Sequence, residues 1–196
     1  MPDCAGPRVR AAILAGGLAR RLGGEKATVE LAGRPLIAYP LEAASAARLD
    51  PLVVAKHHTP LPGFDCEVIR EPDLPVHPLL GILTALEVCQ GSVLALGCDM
   101  PFVSAPLLGW LAGREPPAVG AVNGHLEPLL GLYAPADAGT LAAALDEETS
   151  VREAVGRLDP KLVGDSELSR FGDPRQLVMS VNTKAELAQA ARLMTR

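Results

Sequence analysis

A glycine-rich basic loop follows the first apolar segment of the chain, and this order constrains the fold more than any other feature. The apolar segment covers residues 9–14 and predicts a buried strand. The loop after it contains glycine pairs and cations: Gly16, Gly17, Arg20, Arg21, Gly23, Gly24 and Lys26. Consecutive glycine amides form a concavity that favours anions, and arginine and lysine add donors for phosphate oxygens. The pattern therefore favours a nucleoside triphosphate site on an α/β sheet over a flexible surface turn.

The loop matches neither of the two commonest phosphate-binding motifs. A Walker A loop ends in Gly-Lys-Ser/Thr, whereas Lys26 lies between Glu25 and Ala27. The dinucleotide motif requires G-x-G-x-x-G, and the glycine spacing here does not supply it. Both motifs are excluded, so the phosphate site must be of another kind.

Strand-like and helix-like segments alternate along the chain, which is typical of a mostly parallel sheet covered by helices. Strands are expected at residues 9–14, 52–56, 66–70, 92–96, 118–122, 127–132 and 178–181. Helices are expected at residues 36–49 and 136–145, from Pro78 onward, from the cap Ser104 to Trp110, and after capping boxes at Ser150 and Thr183. A length of 196 residues suits one core, so we expect a single three-layer α/β domain over residues 1–196.

Composition argues against several functional classes. Only 3% of the residues are aromatic and the formal net charge is −5, whereas nucleic-acid binding usually depends on aromatic platforms and a basic face. No apolar stretch approaches the roughly 18 residues that a membrane span requires. The four cysteines show no C-x-x-C pairing, which favours free thiols in a reducing compartment. We therefore expect a cytoplasmic protein that binds a small anionic ligand, with neither a nucleic-acid nor a membrane partner.

An aspartate follows the strand expected at residues 92–96. Asp99 lies just beyond the carboxyl end of that strand, where open α/β sheets bind their ligands. A carboxylate at this place can hold Mg²⁺, which takes oxygen ligands and bridges phosphates. The alternative role is a cap for the next helix, but Ser104 is better placed to cap it. We therefore interpret Asp99 as a metal ligand.

Two motifs, in this order, carry a resemblance to a known family. Residues 14–26 are similar to a signature written L-A-G-G, a short variable piece, R-x-G and a lysine, and residues 96–102 resemble a strand that ends in C-D-x-P-[FY]. Three further segments resemble motifs of the same family, beginning at Pro78, Glu127 and Val181. Taken together, these motifs resemble the molybdenum cofactor guanylyltransferases over nearly the whole chain.

The resemblance implies a Rossmann-like nucleotidyltransferase fold and the transfer of GMP from Mg²⁺-GTP to molybdenum-bound molybdopterin, with release of pyrophosphate. It implies Arg21, Lys26 and Asp99 as catalytic residues, with Asp99 holding the metal. Nucleotide contacts are expected from Leu14, Ala15, Gly16, Gly17, Lys26, Glu71 and Asp99, where the amides of residues 15–17 hold the phosphates. The acceptor side is expected at His125, Glu127 and Asn182, and protein partners could deliver or receive the cofactor.

Departures from the family pattern leave the choice of base open. An asparagine that helps to recognise guanine corresponds to Ala55, and an aspartate after the third strand corresponds to Glu71 or is displaced to Asp73. The first asparagine of the closing motif is Ser180, and the pair His57-His58 near the expected base pocket has no assigned role. Lost polar groups weaken discrimination between bases. A cytidylyl- or sugar-phosphate nucleotidyltransferase, or a non-catalytic nucleotide-binding adaptor, is therefore an alternative.

Overall fold

The computed structural model describes residues 9–19 and 24–195 of the chain. Its strands are β1 (Arg10–Leu14), β2 (Leu18–Ala19), β3 (Gly24–Glu25), β4 (Glu30–Leu31), β5 (Arg34–Pro35), β6 (Pro51–Lys56), β7 (Glu67–Glu71), β8 (Val93–Gly97), β9 (Ala118–Val122), β10 (His125–Tyr133) and β11 (Lys161–Val163). Its α-helices are α1 (Ala38–Ala46), α2 (Pro78–Cys89), α3 (Ala105–Ala112), α4 (Ala138–Asp146), α5 (Val151–Gly156), α6 (Asp165–Leu168), α7 (Pro174–Leu177) and α8 (Lys184–Met194). Short 3₁₀ turns cover Lys26–Thr28 and Pro135–Asp137. None of the helices in this described part is long and apolar enough to cross a membrane.

A seven-stranded sheet organises the fold, in the order β11-β9-β10-β8-β1-β6-β7. β1 pairs in parallel with β6 and β8, and β7 continues the parallel arrangement beyond β6. At the other end, β11 pairs in parallel with β9. β10 runs antiparallel to both β8 and β9, so it alone reverses direction within this sheet of described strands. The mostly parallel sheet expected from the sequence is confirmed.

Helices cover both faces of the sheet, because its central strands are apolar on both faces. In β8, Leu94 and Leu96 contribute to one core cluster, and Val93 and Ala95 contribute to the other. Residues of α1 and α3 complete the first cluster, and residues of α2, α4 and α5 complete the second. Burial of these apolar side chains on both faces is the main favourable contribution to folding. The three-layer α/β architecture predicted from the sequence is confirmed.

The strand order reverses at β1, where the chain first continues to β6 on one side and later returns to β8 on the other. Open α/β sheets bind ligands outside the carboxyl ends of their strands at such a point. The backbone N–H of Cys98, just after β8, donates a hydrogen bond of 3.2 Å to the carbonyl oxygen of Leu14 at the end of β1. The topology therefore brings the glycine-rich loop beside the turn that carries Asp99.

The terminal helix α8 is tied to the same edge of the sheet. Half of the predicted capping box forms, since Thr183 Oγ1 accepts from the N–H of Glu186 at 3.2 Å. Glu186 Oε2 accepts instead from the N–H of Asn182, the residue before the cap, at 2.7 Å. The N–H of Val181 donates to the carbonyl oxygen of Asp99 at 2.9 Å. These bonds bring the segment that precedes α8 to the carboxyl end of β8.

The prediction of a last strand at residues 178–181 is wrong. These residues follow α7 and form no strand, because the amide of Val181 bonds to the loop after β8 and their apolar side chains pack into two core clusters. Within the seven-stranded sheet, the strand that the sequence did not reveal is β11, which pairs with β9; the short strands β2 to β5 outside that sheet were not predicted either. β11 has three residues, and Leu162 within it is 57% exposed, so no apolar periodicity marks it.

The prediction that the Ser104 side chain caps α3 is also wrong. Ser104 occupies the N-cap position of α3, but its side chain makes no capping hydrogen bond, and its buried Oγ has no partner among the described residues. Because a buried hydroxyl without a partner costs free energy, we expect Ser104→Ala to leave the free energy of unfolding unchanged within about 0.5 kcal/mol, or to raise it. Urea denaturation measures this difference.

The matched control is Ser150→Ala at the N-cap of α5. Ser150 Oγ accepts from the N–H of Glu153 at 3.3 Å, so its loss is expected to lower the free energy of unfolding by about 1 kcal/mol. A loss at Ser104 as large as the loss at Ser150 would mean that the Ser104 hydroxyl is bonded in solution.

Candidate active site

A pocket of about 340 Å³ opens at the carboxyl ends of β1 and β8. It is lined by residues from six separate parts of the chain, among them Leu14, Gly16, Gly17, Lys26, Lys56, Glu71, Asp99, Ser180 and Asn182. Most of the residues predicted from the sequence to bind a nucleotide therefore line one concave surface. Its glycine, lysine and carboxylate groups suit a phosphorylated ligand with a bound cation.

The ammonium group of Lys26 lies between two oxygens at the base of this pocket. Lys26 Nζ donates to Asp99 Oδ2 at 2.8 Å and also to Asn182 Oδ1. The side chain of Asp99 is 8% exposed and that of Lys26 is 19% exposed. Lys26 therefore does not point freely into solvent, because its charge is already used to neutralise Asp99. The structure brings Lys26, Asp99 and Asn182 into direct contact.

The glycine loop offers fewer amides to a phosphate than the sequence suggested. The N–H of Ala15 donates to the carbonyl oxygen of Val54 at 2.8 Å, and the Ala15 side chain is buried in the core, so the expected phosphate contact at Ala15 is wrong. Gly16 and Gly17 line the pocket. They remain the candidates for phosphate contacts through the main chain.

A second ion pair, Lys56 with Glu71, lies in the wall of the pocket. Lys56 Nζ is 3.1 Å from Glu71 Oε1, and the two side chains are 9% and 4% exposed. Burial raises the pKa of Glu71 and the nearby Lys56 opposes the rise. Glu71 Oε2 is buried and has no hydrogen-bond partner in the described part of the chain. A buried acceptor of this kind costs free energy unless a ligand supplies a donor.

Gly16 allows the loop to approach this ion pair. A Cβ atom at residue 16 would lie 2.7 Å from Glu71 Oε1 and 3.3 Å from Lys56 Cγ, both of them buried. We expect Gly16→Ala to lower the free energy of unfolding by about 1–3 kcal/mol, because the buried pair must shift. Urea denaturation without nucleotide measures the effect.

Gly17→Ala is the matched control for that substitution. Its Cβ would lie 3.8 Å from Lys26 Cδ, which is an ordinary van der Waals contact. We expect this variant to be much more stable than Gly16→Ala. Equal stability of the two variants would contradict the close approach at residue 16.

A second pocket of about 370 Å³ contains two of the three residues expected on the acceptor side. His125 and Glu127 line it together with Arg152 and Arg175, whereas Asn182 lines the first pocket. Arg152 Nη2 lies 3.7 Å from Glu127 Oε1. Burial raises the pKa of Glu127, and Arg152 and His125 oppose the rise. The acceptor residues predicted from the sequence are thus divided between two pockets.

The two pockets share neighbouring segments of the chain. On β10, Glu127 lines the second pocket and Leu129 the first. After α7, Val178 lines the second pocket and Ser180 the first. Because β10 runs antiparallel to β8 with Leu130 opposite Leu96, its earlier residues extend past the carboxyl end of β8. The second pocket therefore lies beyond the carboxyl end of β8, at the same edge of the sheet as Asp99.

Several other predicted positions have a different environment from the one expected. Ala55 is fully buried in the core, so it cannot be the residue that faces a base, and Lys56 next to it lines the pocket instead. Asp73 Oδ2 lies 3.3 Å from His58 Nε2 and does not line the pocket, so of the two candidates for the family's aspartate only Glu71 does. His57 is exposed. Arg21 lies outside the described residues.

Sequence reasoning missed three charged residues at the pockets: Lys56, Arg152 and Arg175. Strand periodicity gives a signal for Lys56, because residues 52, 54 and 56 of β6 share one face and the first two belong to the core cluster that α2 helps to form. For Arg152 the only signal is its place just after the cap Ser150. No sequence signal marks Arg175.

Three comparisons with known proteins agree with this geometry. Residues 11–161 match the family described as the MobA-like NTP transferase domain. A molybdenum cofactor guanylyltransferase from Cereibacter sphaeroides is 31% identical, with 94% of this chain and 96% of the relative covered. The family match covers nearly all of β1 and the whole of β8, whereas Ser180 and Asn182 of the pocket lie beyond it.

Solved structures show the same fold. Molybdopterin-guanine dinucleotide biosynthesis protein A from Archaeoglobus fulgidus superposes with a TM-score of 0.78 at 26% identity, covering 95% of this chain and 98% of that one. The 2-C-methyl-D-erythritol 4-phosphate cytidylyltransferase from Thermus thermophilus gives a TM-score of 0.70 at 19% identity, covering 96% and 100%. The second similarity concerns the fold alone. The nucleotidyltransferase fold that the sequence predicted is confirmed.

Proposed function

Because this chain belongs to the MobA-like NTP transferase domain family, and within it to the molybdenum cofactor guanylyltransferases, we propose that it transfers GMP from GTP to the molybdenum cofactor and releases pyrophosphate. The observation that carries the proposal is the Lys26 ammonium held between Asp99 and Asn182 at the carboxyl ends of β1 and β8. This arrangement supplies a cation for phosphates and oxygen ligands for a metal at one place.

The proposed reaction is an in-line displacement at phosphorus. An oxygen of the acceptor's terminal phosphate forms a bond to the α-phosphorus of GTP, and the bond from that phosphorus to the oxygen bridging to the β-phosphate breaks. The electron pair of the broken bond leaves with pyrophosphate, so no covalent enzyme intermediate is needed. Catalysis of this kind depends on positioning and charge stabilisation, which Lys26 and the amides of Gly16 and Gly17 would supply. Arg21 is the further cation that we propose for the phosphates.

A Mg²⁺ ion fits the oxygens beside Lys26. The described residues contain no group of three His, Cys, Asp or Glu side chains that could hold a metal, but Mg²⁺ usually takes only one or two carboxylates and completes its shell with waters and substrate phosphates. Asp99 and Asn182 each direct a side-chain oxygen at the same ammonium group. We assign the carboxylate of Asp99 as a ligand of the metal and the side-chain oxygen of Asn182 as the second protein oxygen beside it. When bound, the ion would neutralise charge on the phosphates.

The base and the acceptor are assigned to the remaining groups of the two pockets. Glu71 Oε2 is a buried acceptor in the wall of the first pocket, and guanine presents N–H donors on its Watson–Crick edge. The molybdopterin-type acceptor is anionic, and Arg152, Arg175 and His125 in the second pocket are suited to anionic groups. We therefore propose that the nucleotide occupies the first pocket and the acceptor the second.

The free thiols support a reducing compartment for this reaction. Cys66, Cys89 and Cys98 form no disulfide. Burial raises the pKa of the Cys98 thiol, which keeps it protonated and unreactive. Since disulfides persist mainly in oxidising compartments, we propose that the protein acts in the cytoplasm.

The proposed function is tested by measuring pyrophosphate release with the molybdenum cofactor as acceptor and GTP, CTP, ATP or UTP as donor, with Mg²⁺ in every assay. We expect GTP to be used in preference to the other three and the dinucleotide product to be detected by mass spectrometry. Preferred use of CTP would identify a cytidylyltransferase instead. Tight nucleotide binding with no pyrophosphate from any donor would identify a non-catalytic adaptor.

A further inference from the structure

We propose that Lys56 is a positioning residue that determines which base the pocket accepts, because it orients the carboxylate of Glu71 and holds the pocket wall next to it. This inference rests on the proposed function in one respect, namely that the base of a nucleotide lies against Glu71. The assignment of Lys56 itself rests on its contacts.

The ammonium of Lys56 contacts three oxygen atoms of the protein. Lys56 Nζ donates to the carbonyl oxygens of Pro72 at 2.8 Å and Pro75 at 2.9 Å, and it lies 3.1 Å from Glu71 Oε1. An ammonium group has three donors and no acceptor. Lys56 is therefore already engaged by protein oxygens, and we infer that its influence on the base acts through the groups that it holds.

The first of these groups is the carboxylate of Glu71. Lys56 Nζ contacts Oε1, and Oε2 is buried without a partner among the described residues, on a side chain that lines the pocket. A fixed acceptor at this place is complementary to the N1–H and N2–H donors of guanine. Adenine and cytosine present a ring-nitrogen lone pair on the equivalent edge, which an ionised oxygen repels. The orientation of the carboxylate is thus what would separate guanine from adenine and cytosine.

The second group is the segment between β7 and α2. Lys56 bonds to two carbonyl groups of this segment, and Val76 and His77 just after them line the pocket. At its far end, His77 Nδ1 accepts from the N–H of Leu79 at 3.2 Å. Val76 is 53% exposed, so this part of the wall depends on its anchors more than on its own burial. Lys56 therefore connects the base-facing carboxylate with the wall beside it.

The substitution Glu71→Gln tests whether Lys56 orients the group at residue 71. A glutamine amide has one acceptor oxygen and one donor nitrogen. If Lys56 holds the amide oxygen, the amide nitrogen takes the place of Oε2, where it would oppose the donors of guanine and suit the N1 of adenine. We expect the ratio of GTP affinity to ATP affinity, measured by calorimetry with Mg²⁺ and no acceptor, to fall by about tenfold or more.

The double substitution Lys56→Met with Glu71→Gln then releases the amide. Without the ammonium, the amide can rotate and present its oxygen to guanine, so we expect the affinity ratio to rise at least about threefold above that of Glu71→Gln alone. The double variant buries no unpaired charge, and replacing a buried ion pair by neutral groups is often tolerated by the fold. Circular dichroism and thermal melting verify that each variant is folded.

Glu67→Gln is the matched control, because Glu67 is also on β7 but pairs with Arg10 at the surface and lines neither pocket. It is expected to leave the affinity ratio unchanged. If the unmodified protein prefers ATP or CTP to GTP, the proposed function fails. If it prefers GTP but Glu71→Gln keeps the ratio, or the double variant does not recover it, the proposed function stands and the role of Lys56 is overturned.

Discussion

Replacing Asp99 with asparagine is expected to lower the rate of pyrophosphate release from GTP by about a hundredfold or more, the scale seen when one group that stabilises a transition state is lost. Asparagine nearly preserves the volume of the side chain and its oxygen can still accept from Lys26. The substitution removes the negative charge that a Mg²⁺ ligand requires. Continuous detection of pyrophosphate, with the molybdenum cofactor as acceptor, measures the rate.

The fold of the Asp99→Asn variant is expected to persist. Asp99 is not the N-cap of α3, which is at Ser104, and the backbone bond from Val181 to the Asp99 carbonyl does not depend on the side chain. We expect a change of about 1–2 kcal/mol in the free energy of unfolding, or about 2–8 °C in Tm. Asp146→Asn, at the exposed end of α4, serves as the control with unchanged activity. Full turnover by Asp99→Asn would remove Asp99 from the reaction.

Lys26→Ala is expected to weaken GTP binding by about tenfold to a hundredfold, because charge-assisted hydrogen bonds to phosphate are lost. The ammonium that lies between Asp99 and Asn182 is the cation of the described residues closest to the proposed metal ligands. Guanosine, which has no phosphates, should bind the variant as it binds the unmodified protein. Calorimetric titration with GTP and with guanosine separates these two effects.

The comparison with guanosine makes the Lys26 prediction specific. A general disturbance of the pocket would weaken both ligands, whereas a lost phosphate contact weakens only GTP. Lys161→Ala on β11 is the control for removing a lysine, because Lys161 pairs with Glu115 at the surface. An unchanged affinity for GTP in Lys26→Ala would exclude Lys26 from the phosphate site.

The sequence predicted the central sheet and the main cluster of the site because both depend on local signals. Apolar runs mark β1, β6 and β8, and the glycines and charges that follow two of these strands mark Lys26 and Asp99. Carboxyl ends of parallel strands meet at one edge of the sheet, so their proximity followed from the topology. These residues line one pocket in the structure.

The remaining parts could not be predicted because they depend on tertiary contacts. Residues 178–181 are as apolar as a strand, but the partner of the Val181 amide is a loop far away in sequence. The use of the Ala15 amide by Val54 follows from the pairing of β1 with β6, which a loop motif does not encode. Periodicity places Lys56 on the inward face of β6, but its contacts with Glu71, Pro72 and Pro75 depend on the tertiary structure.

The hydrogen bond from Val181 to Asp99 bears on the order in which the parts of the site come together during synthesis. A ribosome releases the chain from its amino end, so all the described strands have emerged before residues 181 and 182. The nascent chain can therefore assemble the sheet while Asp99 and Lys26 still lack the segment that carries Asn182. Of the described site residues, Asn182 is therefore the last to emerge, and the cluster around Lys26 is complete only once it has done so.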